Sequence, residues 1–144
     1  MKTIIKYELV INEALRSALN YHTPDEQINE FIRFFGKHIG SDRIYIFEDR
    51  EERHCTDNTY EWCAKGVVPQ KHILQNESVE SIQCLFPILE EKKVIVIDDM
   101  EQIGKQYPAA YAFFKSLDIS SFAAGPIKRD GEIIGFVGVD EPDP

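Results

Sequence analysis

The chain has 144 residues, 43% of them hydrophobic, and carries 25 acidic against 16 basic side chains for a formal net charge of −9. That length makes one domain with a real core. The acidic balance, with no basic run, excludes a nucleic-acid footprint or an anionic-membrane surface. No apolar run approaches transmembrane length, and there is no signal-peptide pattern. Three cysteines, Cys55, Cys63 and Cys84, show no metal-type pairing and read as reduced thiols of a cytoplasmic protein.

In chain order, Leu9, Val10, Ala14, Leu15, Ala18 and Leu19 recur at helical spacing and predict a helix over 6–20. Its apolar stripe is wide enough for the domain core on one side and a second copy of the chain on the other. Thr23-Pro24-Asp25-Glu26 is a helix start with a capping box. Ile28, Phe31, Ile32, Phe35 and Ile39 mark one face of that helix, and Gly40 is its C-terminal cap. Residues 43–48 and 54–64 read as strands around a charged turn, with Asp57-Asn58 open to the other reading of a turn that splits the second. Residues 67–82 read as an irregular loop, 83–92 as a short helix, 94–98 as a short buried strand, and Pro108 opens a further helix. Asp99 reads as the cap of whatever follows the strand.

The last quarter is the most informative. Asp130-Gly131 between apolar runs predicts a two-residue hairpin turn. A regular ladder then sets Arg129 against Glu132, Ile127 against Ile134 and Phe122 against Val139. Ile127, Ile134 and Phe136 would share one face, and Phe122, Val137 and Val139 the other. Ala123, Ala124, Gly125, Gly135 and Gly138 would let a helix or a small ligand approach closely. The whole order predicts an α+β domain with helices on both faces of an antiparallel sheet. The closing strand and proline-bearing tail suggest a piece of a longer protein.

Arg43-Ile-Tyr-Ile-Phe-Glu48, Asn58-Thr-Tyr-Glu-Trp-Cys63 followed by Gly66-Val67, and Gly135-Phe-Val-Gly-Val-Asp140 then Pro142 resemble a GAF domain. The resemblance covers nearly the whole chain, residues 1–144, and is nearest the type found in bacterial multidomain signalling proteins, often ahead of a diguanylate cyclase or another output domain. It implies a sheet of five to six strands with the first and last strands as neighbours. It also implies two N-terminal helices on one face and a small-molecule pocket on the other. The chain lacks the Asn-Lys-(x)n-Phe-Asp-Glu pattern of cyclic-nucleotide-binding members and the Cys-His pair by which phytochrome members attach a bilin. None of His22, His38, His54 and His72 lies on an apolar pocket stretch, and no cofactor is named.

On a regular strand Asn58, Tyr60 and Trp62 share one face, an amide and two aromatics suited to a flat polar ligand or to a core. Phe86, Phe113 and Phe122 would close that pocket beneath residues 65–92. The acidic surroundings favour a neutral or cationic ligand. Asp140 reads as a turn-forming or capping carboxylate, and Asp98-Asp99 as a strand end. No nucleophile elbow, glycine-rich loop or metal spacing is present. The resulting reading is a non-catalytic sensory module that binds a small molecule, dimerises through 6–20 and controls a linked output domain. Two other readings stand beside it: a methionine-sulfoxide reductase-like enzyme using Cys63 and Cys84, and a ligand-free dimerisation scaffold.

Overall fold

The computed structural model describes residues 2–50, 55–78 and 95–141. The expected helix over 83–92, with Phe86 and Cys84, lies outside the described residues. Helix α1 (Lys2–Ala18) lies along helix α2 (Pro24–Ile39), with Ala14 and Ala18 buried between them. Ser17 Oγ and the Arg33 guanidinium both donate to the buried carboxylate of Glu30, which is held below the usual carboxylate range chiefly by the Arg33 hydrogen bond. Thr23 caps α2 by accepting the Glu26 N–H at 3.2 Å, and Gly40 ends it at φ 70°, a left-handed cap that suits glycine.

The strands are β1 (Arg43–Arg50), β2 (Cys55–Cys63), β3 (Glu77–Ser78), β4 (Ile95–Ile97), β5 (Phe122–Arg129) and β6 (Glu132–Asp140). They form one six-stranded sheet in the order β3-β2-β1-β6-β5-β4, every neighbouring pair antiparallel. The first and last long strands are therefore central neighbours, with Arg43 opposite Asp140 and Phe47 opposite Phe136. Helices α3 (Met100–Gln106) and α4 (Pro108–Ser116) follow β4. Asp99 caps α3 by accepting the Glu101 N–H at 3.1 Å.

Two cores result. Ile32, Ile39 and Ile44 join Ile46, Val137 and Val139 beneath α1 and α2. On the other face Tyr45, Phe47, Phe122 and Phe136 pack with Ala110 and Phe114 of α4.

Two bulges decide which side chain belongs to which face. The hairpin turn is as expected, with Asp130 and Gly131 at φ 51° and 83°. Lys128 then pairs with Ile133 but Ile127 pairs with Gly135, which leaves Ile134 as an extra residue. Phe122 consequently faces Asp140, not Val139, and shares its face with Phe136. In β2, Tyr60 pairs with Ile46 while Asn58 pairs with Phe47, which leaves Thr59 as the extra residue. Asn58 therefore lies on the opposite face from Tyr60 and Trp62.

Candidate functional site

The face away from α1 and α2 carries Tyr45 and Phe47 from β1, Phe136 from β6 and Phe122 from β5. Phe113 of α4, Leu117 at its C-terminal cap and Leu74 of the segment after β2 cover it. Between these layers is a largely apolar cavity of about 40 Å³. Asn58, Gln70 and Glu77 add polar groups to its wall. The Phe47 and Phe136 rings stack at 5.2 Å, and Phe114 leans on Phe122 at 4.5 Å, so the apolar end is firmly packed.

A buried charged cluster forms the other end. Asp140 is 2% exposed. It accepts from the Tyr45 hydroxyl at 2.8 Å and from Arg43 Nη1 at 2.9 Å. Arg43 Nη2 donates to the Val68 carbonyl at 2.7 Å, and its Nε faces Glu61 at 3.4 Å. Glu61 in turn accepts the Gln70 and Lys71 N–H groups at 2.9 and 3.1 Å. One guanidinium thus serves two buried carboxylates, leaving the cluster with a net negative charge. Burial pushes the Asp140 carboxyl up to about 6, and Glu141 adds to this, against the opposing pull of Tyr45 and Arg43. Burial, and the Asp140 charge beside it, hold the Tyr45 hydroxyl well above the usual tyrosine range. Burial likewise raises the Cys63 thiol, against the nearby Arg43.

The same residues pin the segment that roofs the cavity. Arg43 holds Val68, and Glu61 holds residues 70 and 71. The Asn58 N–H donates to the Leu74 carbonyl at 3.0 Å, and Gln75 Nε2 donates to the Asn58 carbonyl at 2.8 Å. With its amide oxygen and nitrogen assigned by the donors and acceptors around them, the Asn58 side-chain nitrogen donates to the carbonyls of Tyr60 at 2.7 Å and Ile46 at 3.2 Å. That amide fastens the bulge that brings Asn58 to the cavity.

A groove of about 490 Å³ opens beside the cavity and shares Arg43, Gln70, Leu117, Ile119 and Asp140 with it. Its other walls include Asp42, Asp118 and Glu141. Among the described residues, no group of three or more His, Cys, Asp and Glu side chains is placed to hold a metal ion.

Of the residues expected to form one pocket, the structure brings together Asn58, Phe113 and Phe122. Tyr60 and Trp62 do not join them. They pack beneath α2, where a Cβ on Gly36 would overlap the Trp62 ring, and the Tyr60 hydroxyl donates to Asp25. The expectation that they line the pocket is corrected by the β2 bulge, which reverses the alternation between 58 and 60. Phe86 lies outside the described residues. Asp140 is no surface cap but the buried centre of the polar end. Arg43, Tyr45, Phe47 and Glu61 were not singled out from the sequence. Their signal was the alternation Arg43, Tyr45, Phe47 along one strand, which puts a cation, a hydroxyl and a ring on one face. Cys55 and Cys63 stand at opposite ends of β2, too far apart for a disulfide, and Cys84 lies outside the described residues.

The fold has close counterparts. The chromophore-binding domain of Stigmatella aurantiaca phytochrome P1 superposes with a TM-score of 0.72 at 9% identity, covering 93% of this chain and 50% of that one. The phycocyanobilin-bound GAF domain of a cyanobacterial phytochrome gives 0.70 at 15% identity, covering 96% and 82%. The GAF domain of Acinetobacter phosphoenolpyruvate-protein phosphotransferase gives 0.62 at 11% identity, covering 96% and 78%. The chain spans about half the length of the first phytochrome structures it matches. No curated protein matches it in sequence. No described helix is long and apolar enough to cross a membrane. With the GAF domain family matching residues 23–144 in sequence, and the central pairing of β1 with β6 in place, the chain belongs to the GAF domain family.

Proposed function

We propose that this GAF domain is a non-catalytic sensory module of a bacterial cytoplasmic signalling protein. Its ligand is a small, flat, mainly apolar molecule that enters the cavity beneath residues 64–77. Its output is a linked domain of the diguanylate-cyclase-associated kind. One observation carries the reading: an aromatic cavity ends on Arg43, which holds both the roof, at Val68, and the end of the last strand, at Asp140. A ligand that lifts the roof must disturb the same guanidinium that fixes the strand end. A ligand biases an output only through such differential contacts between two states. The cavity of about 40 Å³ has room for little more than one water, so binding requires the roof to move or the ligand to extend into the groove. Dimerisation belongs to the same reading. Ile11 and Leu15 on α1, and Leu19 just past its end, lie at i, i+4 and i+8 and are 38%, 51% and 76% exposed, a stripe fit for a second copy.

The small closed cavity also favours one competing reading, a ligand-free dimerisation scaffold. A thermal-shift screen of aromatic amines, nucleobases and amino acids separates the two. A ligand at about 100 times its Kd adds about 2.7 kcal/mol of stability. The sensory reading expects such a rise in the wild type and none in Leu117→Trp, which fills the cavity mouth. A folded protein that no compound stabilises, with Leu117→Trp as stable as the wild type, establishes the scaffold instead.

A further inference from the structure

We propose that the ligand of this site is an organic monocation, an ammonium or amidinium on a ring-sized apolar body. The body occupies the aromatic cavity and the cation meets Asp140 where the cavity joins the groove. This rests on the sensory reading of the cavity and deepens it.

Arg43 cannot easily receive an anion. Its charge is already shared between two carboxylates: Nη1 donates to Asp140 and Nη2 to the Val68 carbonyl, while the buried Nε lies 3.4 Å from Glu61 without a hydrogen bond. A ligand carboxylate or phosphate would bring a third negative group beside this one guanidinium, and like charges in a buried site repel strongly. Asp140 is in the reverse position. A carboxylate offers about four acceptor sites. The described contacts use one on each oxygen, from Tyr45 and from Arg43. An incoming N–H donor can therefore be added without breaking either bond. It would also neutralise the negative charge that Arg43, shared with Glu61, leaves over.

The surroundings act in the same direction. In the groove, Asp42, Asp118, Asp140 and Glu141 stand against the single cation Arg43. A cleft lined by one sign of charge over low-dielectric walls concentrates ligands of the other sign. Glu141 is held by the Ser120 N–H at 2.7 Å and the Ser121 hydroxyl at 3.0 Å, so it is fixed in place as part of that wall. On the cavity side Tyr45, Phe122 and Phe136 offer ring faces and edges to the body of such a molecule.

Three probes of one shape test this at neutral pH: phenethylamine, 2-phenylethanol and phenylacetate, a cation, a neutral molecule and an anion. Affinities come from calorimetry, and the methyl resonances of Leu74, Leu117 and Ile119 report occupancy. The amine should bind about tenfold tighter than the alcohol, the worth of one charge-assisted hydrogen bond, and the anion should bind weakest. In Asp140→Asn the roughly tenfold preference for the amine over the alcohol should vanish, whatever the variant does to both affinities together. Should that variant not fold, the double variant Asp42→Asn with Asp118→Asn, both exposed, decides. An amine affinity reduced about twofold or more, with the alcohol unchanged, supports the proposal. Equal changes in both overturn it. Equal binding of amine and alcohol to the wild type, or tightest binding of phenylacetate, also overturns the cation while leaving the site intact. If no probe at about 10 mM moves those methyls, the site itself is wrong and the proposal falls with it.

Discussion

Replacing Asp140 by Asn removes a buried carboxyl that holds its proton well above the usual carboxylate range. Its effect on stability has a definite sign. The folded protein holds the Asp140 proton up to about pH 6, against an ordinary value of 3.8. Between roughly pH 4 and pH 6 the unfolded chain has already lost that proton while the native chain keeps it. The unfolded state then binds fewer protons, so stability falls as pH rises through this window. A shift of about two units corresponds to about 3 kcal/mol. Because the side chain is almost fully buried, solvent screening does not much reduce that figure. It is a large part of the roughly 5–15 kcal/mol that a domain of this kind possesses. Urea unfolding of the wild type and of Asp140→Asn at pH 4, 5, 6 and 7 measures it. The wild-type stability minus that of the variant should drop by about 2–2.5 kcal/mol from pH 4 to 7, since the unfolded carboxyl still holds part of its proton at pH 4. Taking the difference removes carboxylates of the opposite kind, such as Glu30, whose lowered value makes its contribution present at neutral pH and lost on acidification. The hydrogen bond that Asn cannot remake offsets the whole curve but does not tilt it. A difference that is flat across the window, or that rises with pH, would refute the claim that desolvation outweighs Arg43 at this carboxyl.

Tyr45→Phe removes a hydroxyl that favours the charged form of Asp140. The window should move to higher pH, and stability at pH 7 should fall by about 1–2 kcal/mol, read from the same titrations. Gly36→Ala should lose about 1–3 kcal/mol, because its Cβ meets the Trp62 ring, although alanine in an open helix position would gain about 1 kcal/mol. Chemical denaturation followed by the emission of Trp62 checks both the size and the place of the effect. Leu15→Glu should turn a dimer into a monomer in light scattering with an unchanged circular dichroism spectrum, since Leu15 is half exposed and outside the core.

Elements with local signals were legible in the sequence, and the pairing of faces was not. Thr23, Gly40, Asp99 and the Asp130-Gly131 turn act through neighbours within a few residues, and each does in the structure what its chemistry requires. Helix α3 was missed although its cap was read, because seven residues give too few turns for periodicity to register. The side-chain alternation of a strand is trustworthy only while the ladder is regular. A bulge at Thr59 and another at Ile134 each reversed it; the first carries no glycine or proline, and Gly135 beside the second reads equally well as room for a close approach. That single effect removed Tyr60 and Trp62 from the pocket, where Asn58 stayed, and moved Phe122 onto the face of Phe136. Asp140 was misread for a different reason. Its partners Arg43 and Tyr45 are 97 and 95 residues away in sequence, and only the pairing of the first strand with the last makes it an interior group.

The placement of the ligand is tested most directly by intermolecular nuclear Overhauser effects from 2-phenylethanol, an uncharged probe, to the methyl groups of the protein. The sensory reading predicts contacts from its ring to Leu74, Leu117 and Ile119, which line the cavity or the groove, and none to Ile32, Ile39 and Ile44 beneath the N-terminal helices. Contacts to the second set, or stabilisation by the probe without contacts to the first, would contradict it.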